Sequence, residues 1–404
     1  MNTEHETGAA ATKDLPLKGI RVVEMSHMVM GPTCGMILGD LGADVIKVEP
    51  PRGDGTRRLL GTGAGFFRTF NRNKRSVTLD MDSEEGIAAL QKLVDSADVF
   101  IENFKPGRMK ALGIDYDSVR TRNPKVIYVS HKGFLKGPYE KRLALDEVVQ
   151  MMAGLAYMTG PVGRPLRAGS SVNDIMGGMF GAIGVLAALY QRRDSGEGKE
   201  VQSALFENCV LLSAQHMQQY AVTGEPAAPM PARISAWAVY DVFELAGGEQ
   251  MFIAATGDTQ WRALCEVIER SDLLADERLQ TNNQRVIARE WLLQTLRETF
   301  VHFEGRTLGP ELERRGIPFA PISKPEELFD DPHLKASGGM ARLTLEDGSQ
   351  TDMPLLPISI DGQRLQPRRP IAGIGEHTHE IMREFGYSDA QIDVFSKEGL
   401  KQAS

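Results

Sequence analysis

The chain has 404 residues, 42% hydrophobic and 25% charged, enough apolar material for two or three globular domains and too much for general disorder. Its 46 Lys and Arg against 54 Asp and Glu leave a net charge of −8, which excludes a global basic field for nucleic acid, so an anionic ligand needs a local cluster. Three cysteines (Cys34, Cys209, Cys265) exclude a disulfide scaffold; with a polar first stretch lacking a signal-peptide apolar run, and no 18-residue apolar segment, they predict a cytoplasmic protein without a membrane span.

In chain order, Ile20 to Glu24 is a β-rich run, Gly31-Pro32 opens an apolar helix to Gly42, and Ala43 to Glu49 is a second β-branched run. Strand, helix, strand at this spacing predicts parallel strands with a crossover. Ser83-Glu84-Glu85 starts a helix to about Ser96, and strands follow at Asp98 to Glu102 and Val126 to Ser130. The pattern is a doubly wound α/β arrangement. A helix is expected from Asp146 to Gly160. Another, nearly free of charge, runs from Asn173 to Arg193 and is expected to be buried. Lys199 to Leu205 reads as a strand and Phe206 to Tyr220 as a helix. The Pro- and Ala-rich stretch from Val222 to Arg233 reads as a linker. A hairpin (Val239 to Glu244, Met251 to Ala255) and helices follow. The boundaries expected are 1–222 for a large domain, 223–330 for a smaller α+β domain, and 331–404 for a C-terminal segment returning to the large one.

There is no P-loop, H-E-x-x-H, C-x-x-C or G-x-S-x-G motif. Gly61-Thr62-Gly63-Ala64-Gly65 lacks the strand that a phosphate cradle follows and reads as a loop. His377 and His379, one residue apart, read as solvated rather than as metal ligands. Three basic clusters follow three strand regions: Arg52, Arg57 and Arg58; Arg72, Lys74 and Arg75; Lys105 and Arg108. They either hold a phosphorylated ligand at the carboxyl ends of the strands or form a solvated rim. Asp174 opens the apolar helix, three residues before Gly177-Gly178. It is either the helix N-cap, or a carboxylate beside a gap through which a backbone or ligand approaches, able to attack an activated acyl group. In that second reading, N–H groups at the Gly177-Gly178 turn would face the developing oxyanions.

The strings LKGIRVVEMSHMVMGP, LGADVIKVEPPRGD, FNRNKRSVTLDM, ADVFIENFKPG, SSVNDIMGGMFGAIGVLAALYQRRDSGEGKEVQ and GEHTHEI, in this order, resemble the class III CoA-transferase family, which also holds α-methylacyl-CoA racemases. The likeness spans about residues 17 to 387. It implies a Rossmann-like large domain, a smaller α+β domain, and an interlocked homodimer whose chains cross around 190–230 and 325–345. It implies coenzyme A, brought as an acyl thioester and without a metal. His27, Met28, Asn103 and Phe104 match the CoA-contacting motifs and Leu79 the adenine side. Lys74 and Arg75 lie in a matching string, and Arg108 follows Asn103-Phe104. Asp174 matches the aspartate that carries acyl and CoA in turn. Asp146 matches an acidic residue found in both transferases and racemases; it either assists the site or only caps the helix that begins there.

Two departures narrow this reading. The racemases place a His before the acidic residue, where this chain has Leu145, which cannot move a proton. Transfer is therefore favoured, with racemisation or epimerisation of an acyl-CoA as the alternative. Oxalate-using members carry a Gln where this chain has Val29, which speaks against a formyl-CoA:oxalate enzyme. The expected acceptor is a C4–C6 dicarboxylic or hydroxy acid and the donor succinyl-CoA or acetyl-CoA. Arg142, Arg167 and Arg233 are candidates for a distal carboxylate.

Overall fold

The computed structural model describes residues 15–233 and 235–397; the polar leading stretch through Asp14 lies outside the described residues. Two compact units divide the chain. One runs to Pro231 and resumes at Pro332; the other is Ala232–Asp331. The division falls inside the Pro- and Ala-rich stretch.

The first unit is built on six parallel strands: β1 (Arg21–Met25), β2 (Asp44–Glu49), β3 (Lys74–Thr78), β4 (Val99–Glu102), β5 (Ile127–Lys132) and β6 (Glu200–Ala204). Their order is β3-β2-β1-β4-β5-β6. Successive strand residues face opposite sides, so β-branched runs fill two cores. Val22, Val45, Val99, Ile127 and Val129 face one side. Val23, Ile46, Val77, Phe100 and Tyr128 face the other. The first side is covered by α1 (Met30–Asp40) and, later in the chain, α4 (Val172–Ser195). The second is covered by α2 (Glu84–Asp95), which starts where Ser83 Oγ accepts the N–H of Gly86 at 3.0 Å.

Between β5 and α4 lies α3 (Asp146–Met152). The helix expected to continue to Gly160 instead breaks at Gly154, whose φ of 85° is left-handed, and a separate turn spans Leu155–Thr159. After β6 comes α5 (Leu205–Thr223). The tail returns to the sheet: helices Thr378–Glu384 and Asp389–Lys397 place Ile381, Met382, Ile392 and Phe395 in the core shared with α2. Thr378 Oγ1 accepts the N–H of Thr78 at 3.0 Å, tying this segment to β3.

The expectation of a buried α4 holds for one face only. Gly177, Gly178, Gly181, Ala182, Val185 and Ala188 are buried, whereas Met179, Phe180, Ile183, Leu186 and Tyr190 are exposed. The helix is apolar all round, and a single chain covers only the side carrying its small residues. It is the one helix among the described residues long and apolar enough to cross a membrane by length and composition, yet its small face packs on α1, β5 and β6. The small residues are needed there. A Cβ on Gly178 would lie 2.6 Å from the carbonyl oxygen of Met30 and 2.5 Å from Thr33 Cβ. Gly178→Ala should therefore lower stability by roughly 1–3 kcal/mol, because backbone must move to admit the methyl. An unchanged denaturation midpoint would contradict that packing.

In the second unit, β7 (Val239–Glu244), β8 (Gln250–Ala255) and β9 (Phe319–Pro321) form an antiparallel sheet in that order. Helices Asp258–Val267, Arg289–Phe300 and Gly305–Arg314 enclose with it a core that includes Phe243, Ile253, Trp261, Leu296 and Phe300.

Candidate active site

In an open parallel sheet, ligands settle beyond the carboxyl ends of the strands where the order reverses, here between β1 and β4. Met25 and Glu102, the last residues of those strands, are partners in register. The residues just beyond them form one constellation. The N–H of His27 donates to Asn103 Oδ1 at 3.1 Å, and Asn103 Nδ2 donates to the His27 carbonyl at 2.8 Å. The His27 ring stacks on Phe104 with centroids 5.2 Å apart and planes 13° from parallel. Met28 has a φ of 63°, a left-handed conformation that costs a residue with a Cβ about 1–2 kcal/mol. Thr56 holds it there, its Oγ1 accepting the Met28 N–H at 3.1 Å. Arg52, Arg58, Lys105 and Arg108 are exposed beyond β2 and β4. Arg108 lies 3.9 Å from Asp82, an exposed and weak pairing.

The remaining basic residues are consumed inside the fold. Lys74 Nζ is buried 2.7 Å from Glu24 and donates to Asn71 Oδ1 and the Pro32 carbonyl, each at 2.9 Å. Burial lowers its ammonium to about 8, against the opposing pull of Glu24. Arg75 is paired with Asp44, Glu380 and Glu384, Arg72 with Asp40, and Arg57 with Glu49. Leu79 has no exposed surface and packs with Val48 and Val77. Lys74, Arg75 and Leu79 thus present no free group to a ligand in this structure. Without Lys74, Glu24 Oε1 keeps Lys47 Nζ at 3.3 Å and Ser26 Oγ at 3.0 Å, but Oε2 loses its partner. Lys74→Met should therefore cost about 1–3 kcal/mol, read by chemical denaturation. A neutral result would mean that Lys47 alone satisfies Glu24.

Asp174 lies one turn before the contact between α4 and the start of α1, so the first turn of α1 links it to His27 and Met28. Its neighbour Ile175 packs on Val29, Met36 and Phe70. The N-cap reading of Asp174 does not hold. Asp146, from α3, supplies the cap: its Oδ2 accepts the N–H groups of Asn173 at 2.8 Å and Asp174 at 3.1 Å. Among the described residues no donor bonds the Asp174 carboxylate. A carboxylate at a helix N-terminus is ordinarily favoured as an anion. Here burial first, and the charge of Asp146 second, raise Asp174 to about 7. The paired glycines admit a backbone, that of Met30, as one of the two alternatives required. They sit inside α4, where their N–H groups serve the helix, so they offer no oxyanion donors.

Sequence reasoning missed Gln150, whose Nε2 bonds Asp146 Oδ1 and whose Oε1 accepts the Ala168 N–H at 2.8 Å. Its position four residues after Asp146 on a helix is the signal that could have found it. Leu145, in the place of the racemase His, is exposed. His131, at the end of β5, is buried, with neither ring nitrogen bonded, and burial lowers it to about 4. Val29 is 1% exposed, a wall behind Ile175. Arg142 lies over the Tyr139 ring at 4.9 Å, Arg167 pairs with Glu147, and Arg233 belongs to the second unit. Gly61–Gly65 is a turn of 3-10 helix. His377 Nδ1 accepts the Ser76 N–H at 3.3 Å, and His379 is 3.5 Å from Asp389.

The chain is 35% identical to the succinate–glutarate CoA-transferase of Agrobacterium fabrum, over 91% of this chain and 95% of that one. It is 33% identical to the succinyl-CoA:mesaconate CoA-transferase of Haloarcula marismortui, over 92% and 96%. The crystal structure of a CaiB/BaiF family protein from Brucella suis superposes with a TM-score of 0.84 at 34% identity, covering 92% of this chain and 100% of that one. The family model of CoA-transferase family III matches residues 17–378. With a doubly wound sheet and an aspartate not spent on capping its own helix, the chain belongs to CoA-transferase family III and is a CoA-transferase.

Proposed function

We propose that the enzyme moves CoA from succinyl-CoA or acetyl-CoA to a C4–C6 dicarboxylic or hydroxy acid through covalent intermediates on Asp174. The observation that carries this reading is the free Asp174 carboxylate, relieved of helix capping by Asp146. Glutarate and mesaconate in the names of two relatives favour a dicarboxylic acceptor.

The Asp174 carboxylate attacks the donor thioester, the C–S bond breaks, and a mixed anhydride and CoA thiolate form. The thiolate attacks the aspartyl carbonyl, giving an aspartyl-CoA thioester and releasing the donor acid as its carboxylate. The acceptor carboxylate then displaces the thiolate to form a second anhydride. Attack of the thiolate on the acceptor acyl carbon yields the new acyl-CoA and restores Asp174. Splitting the exchange this way replaces one difficult displacement by several easier ones. His27, Met28, Asn103 and Phe104 are the proposed CoA contacts, with the exposed Arg52, Arg58, Lys105 and Arg108 the cations for its phosphates. Asp146 positions Asp174 and tunes its charge.

The exposed faces of α4 and of α5 (Leu211, Met217 and Tyr220) support an interlocked homodimer, in which a second copy covers them. Free, buried cysteines fit the cytoplasm. The test is trapping. Incubation with succinyl-CoA should yield protein heavier by one CoA less water, and hydroxylamine should convert Asp174 to a hydroxamate. Recovery of unmodified Asp174, with α-hydrogen exchange of an acyl-CoA into deuterated water, would instead support racemisation.

A further inference from the structure

From the hydrogen bonds around α3 we infer that Gln150 is a positioning residue for the reaction: a neutral bracket that aims Asp146 at the start of α4 without cancelling its charge. The inference rests on Asp174 being the nucleophile. Gln150 has no exposed surface, and both ends of its amide are used. Its Nε2 donates to Asp146 Oδ1, which turns Oδ2 toward the N–H groups of Asn173 and Asp174. Its Oε1 accepts the N–H of Ala168, in the segment that leads into α4. The same short helix grips that segment again through Glu147 and Arg167.

The chemistry of position 150 is restrictive. The side chain must donate to a carboxylate and accept from a backbone N–H at once, at the reach of a three-carbon stem. Glu cannot donate when ionised, Met does neither, and Lys would pair with Asp146 and neutralise it. Among the described residues no Lys, Arg or His forms an ion pair with Asp146, so no opposite charge cancels it beside Asp174. Without the Gln150 donor, a buried Asp146 oxygen loses its partner and nothing holds Oδ2 against the N–H groups of Asn173 and Asp174, so the carboxylate swings away from the start of α4. The electrostatic pressure on Asp174 then falls.

The experiment follows the rate of aspartyl adduct formation from succinyl-CoA across pH by rapid quench and intact mass. Wild type, Gln150→Met, Gln150→Asn, Asp146→Asn and the Asp146→Asn/Gln150→Met double variant are compared. Gln150→Met should move the acid inflection down by at least about half a pH unit, in the direction of Asp146→Asn. Gln150→Asn, one methylene short of spanning both partners, should move it less. The double variant should match Asp146→Asn alone, because Gln150 acts through Asp146. An unmoved or raised inflection in Gln150→Met, or additive shifts in the double variant, overturns the proposal. If the Met variant does not fold, the Asn variant decides by the same criterion. Absence of adduct in the wild type would instead overturn the Asp174 reading, a result distinct from the others.

Discussion

Asp174→Asn is expected to lose CoA transfer by about four orders of magnitude or more and, above neutrality, to gain stability. The first effect follows from chemistry. An amide cannot attack a thioester, and nucleophile removal in enzymes with covalent intermediates costs on this order. The second follows from the environment. Burial, then Asp146, raise the Asp174 carboxyl to about 7 in the fold, against an ordinary value of 3.8. Between those values the folded chain holds a proton that the unfolded chain has released, so wild-type stability falls as pH rises through this window. The variant is spared that fall. Its advantage should be absent below pH 4, grow from about 4 to 7, and level off at about 2 kcal/mol, less than the full shift implies because Asp174 is partly solvated. Denaturation midpoints at pH 4, 6 and 8 measure it, and transfer assays measure the loss. An Asn variant that turns over normally would remove Asp174 from the chemistry, and a pH-independent stability difference would show its charge to be ordinarily solvated. Wild-type transfer should itself gain speed with rising pH through about 7, as the nucleophile ionises.

Ile183→Asp on the exposed face of α4 should abolish the proposed dimer. Ile183 is 56% exposed, flanked on the same helix by Met179 and Tyr190, and the exposed Leu211, Met217 and Tyr220 of α5 extend the apolar surface. An exposed apolar patch of this kind marks a contact. Placing a carboxylate inside it would cost roughly 3 kcal/mol or more per protomer, since no partner for the charge is provided. Sedimentation velocity should show wild type as a dimer and the variant as monomer or aggregate. A monomeric wild type, or a dimeric variant, would refute the interface. Activity should fall with the dimer.

Much of the architecture was legible because β-branched runs such as Ala43 to Glu49 carry their own signal: short, apolar, bounded by turns. Asp174 was legible as a chemical anomaly at the mouth of an apolar helix. Its partners were not. Asp146 sits 28 residues earlier, and nothing local announces that it caps the helix bearing Asp174. The basic string around Lys74 and Arg75 misled for a related reason. A sequence displays cations but not Glu24, Asp44 or Glu384 folded against them. The long apolar α4 read as buried because hydropathy does not say which of a helix's faces its own chain covers. Leu145 and Val29, by contrast, could be weighed directly, since each argument turned on a side chain's chemistry rather than its neighbours.

The first unit is discontinuous, interrupted by Ala232–Asp331, and its sheet takes four core residues, Ile381, Met382, Ile392 and Phe395, from the far end of the chain. During synthesis α2 can therefore begin to cover this face of the sheet long before the last four of its core residues emerge. The contiguous second unit can complete itself on the ribosome, while the core around Val77 stays unfinished until the tail is released. Premature termination near residue 376 would leave all six strands and α2 present, with that core short of Ile381, Met382, Ile392 and Phe395.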